Sequence, residues 1–214
     1  MIDSLIGKKI SMTQVFTEEG KLVPVTVVQT GPCSVIQVKT VQSDKYRAVQ
    51  LGFEEKGKNV SKPLKGHFEK HGVKPCRVLR EVRLRGESDL KPGDVVGVDI
   101  FEDTKLVHVT GITKGKGFQG TIKRHGFTRG PAGHGSKNVR APGSIGQSAW
   151  PSRVFKGMRM AGHMGHARRT VRNIEIVKVD KESNLLLLKG SVPGPDGGHL
   201  IIRKAATRKK AEAK

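Results

Sequence analysis

Cys76-Arg77-Val78-Leu79-Arg80-Glu81-Val82-Arg83-Leu84-Arg85 sets Val78, Val82 and Leu84 to one side of an extended chain and Arg77, Glu81 and Arg83 to the other. That period of two marks a strand with one buried and one wet face. Working outward, apolar and β-branched runs recur at 22–29, 33–41, 46–53, 95–101 and 105–110, and again at 171–180, 185–189 and 199–203. Between them stand turn formers: Gly31-Pro32, Gly86-Glu87-Ser88-Asp89, Lys91-Pro92-Gly93-Asp94, Glu182-Ser183-Asn184 and the segment 193–198. Many short strands divided by turns predict a mainly β chain, a closed barrel or a sandwich. Residues 61–71 read as one short helix with Leu64 and Phe68 on a common face, a lid over a barrel end.

Charge divides the chain differently. Residues 1–103 carry a net charge of +3 and residues 175–214 a net charge of +4, whereas 104–174 hold 14 basic side chains and no acidic one, within a formal total of +21. Solvated protein surfaces mix both signs, so the middle block is suited to a polyanion. Residues 111–170 also hold 13 of the 27 glycines and no leucine, too little apolar material to fold alone. The stretches 130–136 and 141–146 have neither helical nor strand period and read as irregular loop. Each flank has too few strands to hide a core. The two are therefore expected to form one discontinuous β domain, 1–110 with 171–203. The block 111–170 is inserted between neighbouring strands, and 204–214 is a basic tail.

Other chemistries fit poorly. Gly115-Lys116-Gly117-Phe118-Gln119-Gly120 matches G-x-G-x-x-G, but the following helix is broken by Gly126, Gly130 and Pro131, and no acid stands ~20 residues on to hold a ribose. Met158, Met160, His163, Met164 and His166 are dense enough to suggest a soft metal, yet Arg159, Arg168 and Arg169 would repel a cation and no carboxylate orients the imidazoles. Without a carboxylate the serines of the block lack a triad, so no catalytic residue, metal ligand or cofactor is nominated. Cys33 and Cys76 read as buried apolar thiols of a reducing compartment. Asp3 and Lys8-Lys9 interrupt any leader-like run, which points to an intracellular chain. Aromatic residues make up only 4% of the chain, which disfavours binding by base stacking alone. The lone Trp150, in Gln147-Ser148-Ala149-Trp150-Pro151, reads as a stacking or wedge contact at a loop tip. Charge does not separate RNA from DNA, although no helix-turn-helix, zinc-finger or basic-zipper pattern is present.

Longer motifs narrow the choice. Ile6-Gly7-Lys8-Lys9-Ile10-Ser11-Met12-Thr13-Gln14-Val15-Phe16, the run 111–120, Arg140-Ala141-Pro142-Gly143-Ser144-Ile145-Gly146, the run 154–165 and Asn184-Leu185-Leu186-Leu187-Leu188-Lys189-Gly190 closely resemble the bacterial L-three (uL3) family of large-subunit ribosomal proteins. The resemblance runs from residue 2 to about 203. It departs at Ser11, Ser152 and His166, and Trp150 resembles the aromatic tip of archaeal and eukaryotic members.

The resemblance implies a small closed, translation-protein-like β-barrel with a long inserted extension. It implies that the protein is no enzyme, lies in the cytoplasm within the large ribosomal subunit, and binds 23S ribosomal RNA near its 3′ end early in assembly. The extension would run toward the peptidyl transferase centre, with L-fourteen, L-nineteen and L-seventeen as neighbours. No membrane, small-molecule substrate or cofactor is implied. The rRNA contacts are expected at Lys114, Lys116, Lys123, Arg124, Arg129, Lys137, Arg140, Arg153, Lys156, Arg159, Arg168, Arg169 and Arg172. Gln147 and Trp150 are expected at the loop tip. If about ten of the 14 block cations neutralise phosphates, binding should show a log-log salt slope of roughly −7 to −9.

Overall fold

The computed structural model describes residues 2–84, 86 and 89–205. In chain order come β1 (Ser4–Phe16), β2 (Leu22–Thr30), β3 (Cys33–Lys39), the single turn α1 (Val41–Asp44), β4 (Ala48–Glu55), α2 (Lys62–Lys70), β5 (Cys76–Arg83) and β6 (Val95–Val96). A 3-10 turn, Val98–Phe101, leads into β7 (Leu106–Ile112), β8 (Phe118–Gln119), α3 (Thr121–His125), β9 (Gly162–His163), β10 (Arg168–Asp180), β11 (Leu185–Lys189) and β12 (His199–Lys204). The expected turn around Glu87 and Ser88 and the tail beyond Ala205 lie outside the described residues.

Six strands close on themselves in the order β1-β12-β7-β10-β11-β2, every pair antiparallel, as a closed barrel. Closure follows from β1, which pairs with β12 through Ser4–Lys8 and with β2 from Gly7 onward, so neither edge of the sheet is left open. Alternation directs the side chains: Val107 and Val109 of β7, Leu186 and Leu188 of β11, and Leu200 and Ile202 of β12 are buried. Burying side chains of this size stabilises by roughly 1.5–3 kcal/mol each. So narrow a ring leaves no room at some positions; a Cβ on Gly111 would lie 2.7 Å from Leu200 Cδ2 and 3.0 Å from the Pro193 carbonyl oxygen.

A second sheet, β5-β4-β3-β6, shares one continuous core with the ring through Val35, Val49, Leu51, Phe53, Val78 and Val82. The β5 alternation is as read, with Val78 and Val82 buried and Arg77, Glu81 and Arg83 exposed. Three expectations change. Residues 95–101 are strand only at Val95–Val96; beyond Gly97 the chain makes the 3-10 turn, because Val98 and Phe101, three apart, can then bury on one side. The α2 helix does not cover a barrel end: its Phe68 packs with Ile36 and Cys76 of the second sheet, while Leu64 is 43% exposed. The list of expected strands also lengthens, since Ser4–Phe16, outside it, forms β1, with Lys9 buried and its ammonium 3.3 Å from Asp196 Oδ1 and from the Gly194 carbonyl.

Both cysteines are free and buried. Burial pushes the Cys33 thiol up to about 11, and its Sγ–H donates to the Ile6 carbonyl at 3.5 Å. No helix among the described residues is long and apolar enough to cross a membrane.

Candidate nucleic-acid interface

The described chain divides into two compact units, residues 113–167 and the remainder. Ile112 of β7 and Arg168 of β10 stand directly opposite each other, so the chain leaves and re-enters the ring on hydrogen-bonded neighbours. Residues 111, 112 and 168–170, which share the charge character of the basic block, belong to these two strands.

Residues 113–167 hold ten Lys and Arg and no carboxylate. The unit has little core; Thr121 is its one buried residue. Its backbone is held instead by a narrow antiparallel stem. Thr113 N–H donates to the Ala167 carbonyl at 3.0 Å, Lys116 N–H to Met164 and Met164 N–H to Gly117, both at 2.9 Å, and β8 pairs with β9 beyond. Gly165 sits in this stem at φ +78°, where a Cβ would collide with the Lys114 carbonyl oxygen. Irregular backbone predominates from 126 to 161, but α3 and the β8–β9 pair are regular elements inside a block read as loop.

Twelve of the thirteen nominated cations are exposed. The exception is Arg124, whose Nη1 donates to the Met160 carbonyl at 2.6 Å, beside His125 Nε2 at 2.9 Å from the same oxygen. This side chain braces its own unit. Arg153 lies over the Phe155 ring at 5.8 Å. Trp150 is 82% exposed, with Gln147 exposed nearby in sequence. Ile145, Val154, Phe155 and Met158 are exposed as well, an apolar contribution that charge counting alone does not register. Among the described residues no group of three or more His, Cys, Asp or Glu is placed to hold a metal ion.

In the larger unit several cations meet carboxylates. Lys8 meets Glu54 at 2.6 Å, Lys39 meets Glu81 at 2.8 Å, Lys181 meets Glu102 at 2.6 Å and Lys189 meets Glu175 at 2.7 Å. Arg168 and Arg172 depart from this pattern and line one cleft of about 730 Å³ together with Arg83, His108 and Arg203, three residues the sequence did not nominate. Arg169, one position out of phase, does not line it.

His108 Nδ1 accepts the Asn173 N–H at 3.1 Å across a bulge in β10. Burial, then the charges of Arg203 and Arg172, hold its imidazole below the usual histidine range. Because Nδ1 accepts that bond, the neutral ring carries its N–H on Nε2.

Comparison with known proteins finds relatives along nearly the whole chain. The model of the family described as ribosomal protein L3 matches residues 90–185. The large ribosomal subunit protein uL3 of Carboxydothermus hydrogenoformans is 53% identical over 210 residues, covering 98% of this chain and 100% of the relative. That of Thermotoga petrophila is 52% identical over 206 residues, covering 96% and 99%. That of Syntrophobacter fumaroxidans is 51% identical over 205 residues, covering 95% and 98%. Identity above one half along nearly the whole of both chains, spanning ring, second sheet and basic unit alike, means that the chain belongs to the ribosomal protein L3 family.

Proposed function

We propose that this chain is a structural, non-catalytic component of the large ribosomal subunit in the cytoplasm, and that it binds 23S ribosomal RNA directly. The observation that carries the reading is the 113–167 unit: ten cations without a carboxylate, on a backbone with almost no core. Such a segment repels itself unless a polyanion neutralises it. The role fits a pin: β-strands hold both ends of the unit, while its Lys and Arg side chains bridge phosphates of RNA helices that would otherwise repel each other. The guanidiniums of Arg129, Arg140 and Arg159 suit bidentate phosphate contacts, and Lys114, Lys116, Lys123, Lys137 and Lys156 act as point charges.

Family membership extends the proposal. The barrel seats near the 3′ end of the rRNA early in assembly and helps nucleate the 50S particle. The 113–167 unit reaches toward the peptidyl transferase centre with Gln147 and Trp150 at its tip, and L-fourteen, L-nineteen and L-seventeen are neighbours. The exposed indole of Trp150 and the ring of Phe155 supply stacking surfaces among the charges.

The test expresses the tagged full chain, and a variant with 113–167 replaced by a short linker, in cells and sediments the ribosomal subunits. The full chain should travel with the large subunit, and the variant should accumulate in immature particles. A full chain that stays at the top of the gradient overturns the proposal, and duplex DNA that outcompetes structured rRNA would redirect it to DNA.

A further inference from the structure

The outer wall of the ring carries a second concentration of unneutralised charge, away from the 113–167 sequence. Across β12, β7 and β10 the register aligns Arg203 with His108, and Ile201 with Thr110 and Thr170. Alternation within β10 adds Arg168 and Arg172 on the side of Thr170. The second sheet closes the cleft with Glu81, Val82 and Arg83 of β5. Four guanidiniums from three separate stretches of chain thus converge on one cavity of about 730 Å³.

Two carboxylates stand in the cleft against the four guanidiniums, and one of them is paired outside it. Glu81 lies 2.8 Å from the Lys39 ammonium and accepts the Tyr46 hydroxyl at 2.9 Å, and Asp3 accepts the Ser4 hydroxyl at 2.7 Å. Arg168, Arg172 and Arg203 make no ion pair among the described residues. Gathering four guanidiniums with Asp3 as the one carboxylate of the described lining not paired to a cation raises the energy of the free protein, a cost that an anionic ligand removes.

We propose that this cleft seats the sugar-phosphate backbone of RNA, as a second contact separate from the basic insertion. It rests on the reading that the chain binds ribosomal RNA. The lining favours backbone over base. Among the described residues that line it there is no Phe, Tyr or Trp, and the one ring, the His108 imidazole, spends Nδ1 on the Asn173 amide. Guanidiniums suit bidentate phosphate contacts, and the Thr110 and Thr170 hydroxyls, 2.8 Å apart, with His108 Nε2–H, suit phosphate oxygens and 2′-hydroxyls. Recognition here is independent of base sequence. It sets where the ring lies on a helix rather than which bases it meets.

The test compares the full chain with its Arg172→Gln/Arg203→Gln variant, titrated against a large-subunit rRNA transcript from 0.1 to 1 M salt. Losing two phosphate contacts should make the log-log salt slope shallower by about 1.4–1.8, so the affinity ratio of parent to variant grows about 25- to 60-fold from 1 M down to 0.1 M. A variant slope equal to the parent's, in a full chain that still binds steeply, overturns the cleft and leaves the rRNA reading standing. A parent that does not bind rRNA removes both.

Neither arginine makes an ion pair among the described residues. Thr170→Glu covers any loss of fold in the double variant, since it adds an attractive carboxylate among the guanidiniums and should still weaken RNA binding. Unchanged RNA affinity in a folded Thr170→Glu chain overturns the proposal. In two further arms, inorganic phosphate and a polyglutamate peptide compete at matched ionic strength. Weak competition by both supports an RNA backbone. Displacement of the RNA by micromolar phosphate, or by the peptide as well as by rRNA itself, overturns it.

Discussion

Replacing residues 113–167 with an Asn-Gly pair should remove most of the salt sensitivity of RNA binding while leaving the ring folded. The register supports the surgery. Ile112 and Arg168 are direct antiparallel partners, so two residues in a tight turn join β7 to β10 as an ordinary hairpin. The core strands and their buried side chains all lie outside the deletion. Of the ten cations removed, Arg124 is committed to the Met160 carbonyl, which leaves nine that are free to meet phosphate. At roughly 0.7–0.9 counterions released per contact, the log-log slope of affinity against salt should become shallower by about 6–8. Fluorescence anisotropy of a labelled rRNA fragment between 50 and 500 mM salt reads the slope, and urea unfolding checks that the midpoint has not dropped. A folded variant whose slope changes by less than about 2 would refute the reasoning. The cations of 113–167 would then not be the groups that displace counterions.

Three further expectations concern the scaffold. Leu188→Ala empties a fully buried position of β11, and the full chain should lose about 2–5 kcal/mol in urea unfolding; a loss under ~1 kcal/mol would contradict the barrel packing. Gly165→Ala forces a Cβ against the Lys114 carbonyl at positive φ, so the Lys116 and Met164 amides should exchange with solvent at least about 5-fold faster, by a strain of roughly 1 kcal/mol or more. Unchanged protection of both amides would count against the stem. The His108 imidazole should titrate below 6.5 by NMR, and the Asn173 amide should shift with it, since a protonated Nδ1 cannot accept that bond. Because the folded value lies below the unfolded one, the neutral ring's contribution to stability is complete above the unfolded value and is lost as pH falls through the folded one. A midpoint at or above 6.5 would contradict the environment described.

What the sequence made legible was local. The β5 alternation could be read from Cys76 to Leu84 because each residue there sits in a period of two, and the basic unit from an acid-free stretch that no ordinary surface requires. The β1 strand was hidden by Lys8 and Lys9, whose charges look out of place until Glu54 and Asp196 are brought to them from distant segments. The seat of α2 was hidden for the same reason: Phe68 marks a buried face, but nothing local says that Ile36 and Cys76 receive it. Arg83, His108 and Arg203 look like unremarkable outward residues of three strands. Only the order of the ring, with β12 between β1 and β7, collects them. The commitment of Arg124 to a carbonyl 36 positions away was likewise beyond any reading of composition.

The closing pair of the ring also sets a timetable for synthesis. Since β1 pairs with β12, the first strand made waits for the last, and the 113–167 unit is complete while β10, β11 and β12 have yet to be made. At about 5–20 residues per second, the 37 residues from 168 to 204 take roughly 2–7 s to follow. Throughout that interval a nascent chain carries an acid-free polycation ahead of an unclosed scaffold. The ring's last seam therefore closes only after its most strongly charged segment has already been made.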